Sequence, residues 1–323
     1  MTQILSLAQA AIIFGTVILF GSIGEILTEK SGNLNLGVPG VMYLGGIAGL
    51  AGAFIYESSS ANPSPLLGLI ISLVCAIIAA GLGGLLYSFL TITLRANQNV
   101  TGLTLTIFGS GVANLFGGAM NKMAGGVGQI SVATTSGAFR STLPFLNNVG
   151  VLSGLGFMVY FAIILAVGLG WFLTRSRKGL NLRATGENPG TADAAGISVT
   201  RYKYLATCVG AAITGLGGLY YVMDYIKGTW ANDGGIEKLG WLAVALVIFA
   251  RWKPAQTIWG SYLFGVLFWL FFYIPGLTRS SQEIFKMLPY VVTIIVLVVV
   301  SLRKSRENDP PAHLGLSYFR EDR

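Results

Sequence analysis

Histidine occurs once in this 323-residue chain, as His313, and cysteine twice, as Cys75 and Cys208. One imidazole in a polar C-terminal stretch cannot build metal or acid–base chemistry within a membrane. Two thiols in separate apolar runs supply neither a disulfide framework nor a thiolate metal site, so no metal is expected. Charge is also scarce: Asp, Glu, Lys and Arg make up 11% of residues, where a soluble domain carries roughly 25%. A water-exposed surface cannot be assembled from so few charges, so most of this surface must face lipid or protein. The chain has no GxxxxGK[ST] phosphate loop, which excludes that mode of ATP binding. Its first apolar run lacks a basic leader and an A-x-A-like cleavage site, and is read as a retained helix.

What is present is apolar: 53% of residues, with a mean hydropathy of +0.69. The fold class expected is therefore an all-α polytopic membrane protein. Uncharged runs long enough to cross roughly 30 Å of hydrocarbon fall at 4–23, 37–56, 65–90, 101–120, 151–173, 203–223, 255–274 and 284–302. A ninth, 236–250, has only a short uncharged core between Lys238 and Arg251. Charge decides in its favour. With nine spans and the N-terminus outside, the outer segments hold Lys122, Arg140, Lys227, Lys238, Arg279 and Lys286, and the other 15 of 21 basic residues lie inside. Omitting the short span would put Arg303, Lys304 and Arg306 opposite Arg175, Arg177 and Lys178, against the positive-inside bias. The expected plan is about nine helices over a transmembrane domain of 1–302, with a cytoplasmic loop at 174–203 and a basic cytoplasmic tail at 303–323. The net charge of +8 is spread in short clusters, so no nucleic-acid partner is expected.

The 44 glycines lie inside apolar runs. Small residues recur every fourth position, as in Ala76, Ala80, Gly84, Ser88 and in Ala206, Gly210, Thr214, Gly218, which stacks them on one helix face and lets backbones approach. These stripes read as packing and name no substrate.

The most informative segment is residues 183–201, RATGENPGTADAAGISVTR. Asn188 is suited to cap a helix whose first residue is Pro189, and Gly196 is placed to end it, so about two turns are expected. The body is made of small side chains, which would let a short helix enter a groove on another protein.

This stretch, followed by TCVGAAITGLGGLYYV, resembles the coupling region of permease subunits of bacterial ABC importers of the nucleoside and simple-sugar class. Four further segments are similar in the same order: GEILTEKSGNLNLGVPGVM, ANQNVTGLTLTIFGSG, LGWLAVALVIFARWKP and the tail PPAHLGLSYFREDR. The mid-chain and tail segments resemble the shorter of the two permeases of nucleoside systems. Two departures stand out: Ala250 replaces a usual glycine, and the outer-loop residues 233–240 diverge from the class pattern, the second bearing on which solute is carried. The resemblance implies a type II importer-like permease in a bacterial plasma membrane, paired with a second permease. It implies ATP and Mg on a separate ATPase subunit, and solute delivered by an extracellular or periplasmic binding protein. Docking on the ATPase is then expected of Glu187, Asn188, Pro189, Gly190, Ala192, Asp193, Ala194, Ala195, Gly196 and Ile197.

For the solute path, Asn99, Thr106, Ser110, Asn114 and Asn121 fall along one face of the fourth span. Uncharged amides and hydroxyls suit a neutral solute, and equally suit hydrogen bonds between helices. Asn33 and Asn35 lie in the SGNLNLGVPG break between the first two spans. Irregular backbone at membrane depth survives only where buried in protein or lining a cavity, so the break reads as a cavity or gate element, the other reading being a plain turn. Nucleosides are the favoured solute and simple sugars the alternative. An ion-coupled secondary transporter would usually keep ionisable residues within its spans, whereas all 13 acidic residues read as lying in loops, tails or span ends. A membrane-embedded enzyme lacks the residues it would need.

Overall fold

The computed structural model describes residues 2–124, 130–142, 151, 153–274, 276, 278–302 and 309–319. Among these, thirteen α-helices follow one another: α1 (Thr2–Glu29), α2 (Val38–Ser59), α3 (Pro65–Ser88), α4 (Gln98–Met123), α5 (Ala133–Phe139), α6 (Phe157–Arg175), α7 (Arg177–Glu187), α8 (Pro189–Ala194), α9 (Val199–Tyr220), α10 (Gly235–Phe249), α11 (Pro254–Trp269), α12 (Arg279–Lys286) and α13 (Leu288–Leu302). No strand occurs among the described residues, only two isolated bridges, Ser131 with Thr229 and Thr142 with Gly156. Wider π turns extend α3 through Phe89–Thr93 and α9 through Tyr221–Tyr225.

Seven helices are long and apolar enough to span a membrane: α1, α2, α3, α4, α6, α9 and α11, three of them with their terminal turns. The other two expected spans are also helical, but α10 and α13 have 15 residues each. For α10 the shortness has a physical reason. Its Leu239, Leu242, Ala243, Leu246 and Val247 are buried against α1 and α2, so protein, not lipid, surrounds much of it.

The centre of the bundle is α1, α2 and α9, with α3 packed on the α2–α9 pair. Glycine sets how closely they approach. A Cβ at Gly45 of α2 would stand 2.5 Å from Gly215 Cα of α9, and one at Gly218 would collide with the Met42 backbone. The small-residue stripes are packing surfaces as read: Ala76, Ala80 and Ser88 are fully buried, and a Cβ at Gly84 would stand 3.0 Å from Thr207 O of α9. Large apolar side chains instead line one side of α3 and α4, including Leu67, Ile70, Leu82, Ile107 and Phe116, all exposed. Among the described residues nothing covers that face.

The first span runs longer than its hydropathy indicates. The apolar run stops at Ile23, but α1 continues to Glu29, and both Glu25 and Glu29 are buried. Asp224, in the π turn ending α9, is buried too. These acids stand at span ends, as the sequence places them, yet inside the protein.

Candidate functional site

One end of the bundle gathers the α1–α2 break with Asn33 and Asn35, the start of α4 and the segment 187–197. There α1 ends, α2, α4 and α9 begin, and α7, α8 and residues 309–319 pack together.

The break between α1 and α2 is built into this end. After α1, Gly32 N donates to Glu29 O (2.8 Å) with Gly32 at φ +91°, turning the chain inward. Asn33 is 0% exposed; its Nδ2 donates to Thr207 Oγ1 of α9 (2.9 Å), while its Oδ1 has no partner among the described residues. Leu34 N donates to Gln98 Oε1 (2.7 Å) and Leu34 O accepts from the Tyr87 hydroxyl (2.5 Å). Asn35 Oδ1 accepts from Gly37 N (2.9 Å), the self-closing turn that asparagine favours, and Asn35 N donates to Glu25 Oε1 (3.1 Å). Thr106 Oγ1 of α4 donates to Leu36 O (3.2 Å). The break is therefore not a solvent turn: its polar backbone is met by side chains of α1, α3 and α4. Asn33 lines a cavity of about 200 Å³.

Glu25 and Glu29 are contributions that sequence reasoning did not separate from the motif containing them. Spaced by four, they lie on one helix face. Glu25 holds the break through Asn35 N, and Glu29 Oε2 accepts from Trp252 Nε1. Trp252 and Arg251 both have φ 53° in the α10–α11 connection, a conformation uncommon outside glycine. The usable signal was the i, i+4 pair just past an apolar run.

The expected short helix is present with the expected ends. Asn188 Oδ1 accepts from Thr191 N (2.9 Å), and Pro189 opens α8. At the other end Gly196 has φ +81°, Gly196 N donates to Asp193 O (2.9 Å) and Ile197 N to Ala192 O (3.0 Å), so a left-handed glycine closes the helix with both reverse bonds. Pro189 and Ala192 are buried, anchoring α8; Glu187, Asn188, Ala194, Ala195 and Gly196 are exposed, with Gly190, Asp193 and Ile197 between.

The C-terminal segment lies across this assembly. His313 N donates to Gly186 O (3.0 Å), Gly315 N to Gly32 O (3.2 Å), Ala312 N to Glu187 Oε2 (3.2 Å) and the Tyr318 hydroxyl to Asp193 Oδ2 (3.1 Å). Arg95 stacks over the Phe319 ring at 4.4 Å. Residues 309–319 thus tie α7, α8 and the α1–α2 break together. Burial, and after it the Lys203 ammonium, hold the His313 imidazole below its ordinary range. Burial likewise lowers the Lys30 ammonium, with Glu187 opposing it. The tail's basic residues at 303–306 and its last four residues lie outside the described residues.

The polar face of α4 does not converge on one cavity. Asn99 is exposed, Thr106 is used on Leu36 O, and Ser110 Oγ donates to Ile107 O of its own helix (3.0 Å). Asn121 Oδ1 accepts from Ile130 N (3.2 Å). Asn114 differs: its Oδ1 is buried without a partner. At the opposite end of the bundle, a cavity of about 560 Å³ lies among Arg140, Asp224, Tyr225, Lys227 and Trp269. Asp224 Oδ2 and Trp269 Nε1 have no hydrogen-bond partner among the described residues. Sequence reading did not single out these residues.

A bundle of membrane-length helices with a polar break, a docked tail and a small capped helix at one end is the architecture of a multi-pass membrane protein. Residues 7–297 match the family described as the permease component of the branched-chain amino acid transport system, and the chain belongs to that family. It is 31% identical to a protein of Haloferax volcanii named as a putative glucose ABC transporter permease, over 98% of both chains. It is 30% identical to the nucleoside ABC transporter permease NupC of Lactococcus lactis, over 89% of this chain and 90% of that one. It is 28% identical to the guanosine ABC transporter permease NupQ of Bacillus subtilis, over 99% of both. No solved structure matches. The chain is thus an ABC transporter permease of the nucleoside and sugar class.

Proposed function

We propose that this chain forms, with a second permease, the path by which an ATP-driven importer takes up nucleosides, while a separate ATPase subunit binds ATP and Mg and a binding protein delivers the solute from outside. The observation that carries the reading is α8. It is capped at both ends, is anchored through Pro189 and Ala192, and leaves Ala194, Ala195 and Gly196 facing outward, which is a small, rigid protrusion suited to a groove on a partner. In this reading residues 187–197 dock on the ATPase, the α8 end is cytoplasmic, and the N-terminus is outside. The nine-helix plan counts α10 and α13 as spans. The uncovered apolar face of α3 and α4 meets lipid and the second permease.

The path is assigned to Asn33 and Asn35 at the inner break and to the α4 face of Asn99, Thr106, Ser110, Asn114 and Asn121, with Asn33 and Asn114 each keeping a buried acceptor that has no partner among the described residues. Its groups are neutral amides and hydroxyls, which favours an uncharged solute, because desolvating an unpaired phosphate is costly. Nucleosides are preferred on the names of NupC and NupQ; a simple sugar is the second reading, on the name of the Haloferax relative. Uptake of radiolabelled nucleosides, ribose, glucose and a nucleotide in cells with and without the gene decides between them. Loss of nucleoside uptake alone is expected. Loss of sugar uptake alone transfers the assignment to sugars, and loss of nucleotide uptake contradicts the electrostatic argument.

A further inference from the structure

The cavity of about 200 Å³ at the α8 end stands apart from the α4 face assigned to the solute. Its described walls come from Asn33 of the break, Thr91 and Arg95 after α3, Gln98 of α4, Lys203 of α9, and Tyr318 of the tail. Asp193 of α8 also reaches it, and is hydrogen-bonded to the Tyr318 hydroxyl.

Two buried groups in this cavity lack a match. Lys203 is only 3% exposed, and among the described residues no carboxylate stands within ion-pair distance of its ammonium. Asn33, 0% exposed, has an Oδ1 that accepts from nothing. A buried cation with no counter-charge and a buried acceptor with no donor among the described residues are each costly. Arg95 adds a second cation at the rim, held there with φ 58°, a backbone conformation uncommon for a residue with a side chain. Among the described lining residues Lys203 and Arg95 are positive and Asp193 is the one acid, a net positive balance. Among the described residues the only carbon-only side chains lining it are Ile92 and Val199, too little apolar wall for a lipid chain.

We infer that this cavity is a binding site for a soluble phosphate-bearing anion, placed at the inner break beside Asn33 and apart from the α4 face of the solute path. Phosphate oxygens would accept from the Lys203 ammonium and the Arg95 guanidinium, groups that pair well with such an anion. A hydroxyl, either of a singly protonated phosphate or of the ester carrying it, would donate to Asn33 Oδ1. An occupant touches the break, α9, the tail and the wall formed by α8 simultaneously, so it fixes the docked tail against the helix that the preceding section assigns to ATPase docking.

The test is calorimetric titration of the full-length chain in phosphatidylcholine nanodiscs with inorganic phosphate at neutral pH, which requires neither transport nor partner subunits. Saturable binding is expected, weakened about tenfold or more in Arg95→Gln and in Lys203→Met, and retained in Lys203→Arg. Because Lys203 is buried, the exposed Arg95→Gln carries the comparison if Lys203→Met does not fold. The inference is overturned by absence of saturable binding or by unchanged affinity in the folded variants. It is also overturned if phosphatidic acid in the disc binds while free phosphate does not.

Discussion

Asn188 shows how much one side chain can declare about its surroundings. Its cap on Thr191 N, the proline after it and the glycine at 196 were all legible, because capping is local chemistry within ten residues of sequence. Glu29 was not legible in the same way. Its partner Trp252 is more than two hundred residues away, and hydropathy assigned it to the loop. Two predictions belong at this scale. Replacing Ala194 or Ala195 by Trp should leave the permease folded and cut solute uptake at least about tenfold while ATP hydrolysis by the complex continues, since a bulky ring cannot enter a groove shaped for methyl groups. Normal assembly and transport in these variants would remove α8 from the coupling role. Replacing Glu29 by Ala should lower thermal stability by about 1–3 kcal/mol, because the buried Trp252 donor loses its acceptor; Glu29→Gln should recover much of that loss. Unfolding in detergent, followed by tryptophan fluorescence, gives the comparison.

At the scale of elements, the seven long spans follow directly from uncharged runs, because lipid forces length and hydropathy to coincide. The shorter helices escape that rule for a reason seen in α10: a helix enclosed by α1 and α2 does not have to match the bilayer with its own apolar length. Short α5 and α12 carry too few apolar residues to register as spans, and their positions depend on contacts that no local pattern encodes. The glycine stripes gave the packing faces but not the pairings. The Gly45–Gly215 approach leaves no room for a side chain, so Gly215→Leu should force α2 and α9 apart and destabilise the fold by about 3 kcal/mol or more. Loss of monodisperse protein on size exclusion would confirm it, and a wild-type profile would show that the close approach is dispensable.

For the whole molecule, the organising feature is the C-terminal segment, which joins α7, α8 and the break from the far end of the chain. Resemblance marked the tail as characteristic, but nothing in its sequence says where it docks. Docking places His313 where its imidazole is held below the ordinary value of about 6.5. The docked state therefore favours the neutral ring. Docking should be complete above that pH and weaken as pH falls toward the lowered value, and His313→Gln should remove the dependence. Limited proteolysis of the tail across pH reports this, and a pH-independent cleavage rate in the wild-type chain would contradict it. Topology is tested by cysteines introduced at Ser59 and Arg177, both exposed. An impermeant reagent added outside should label the first, and should label the second only after permeabilisation.

The central claim is that transport through this chain is driven by ATP on a partner and not by an ion gradient. The direct measurement is nucleoside uptake into proteoliposomes holding both permeases and the ATPase, with binding protein and ATP supplied on the appropriate sides and all ion gradients collapsed. The account predicts accumulation that requires ATP, this chain and an unmodified α8. Accumulation that proceeds without ATP when a proton or sodium gradient is imposed would contradict it.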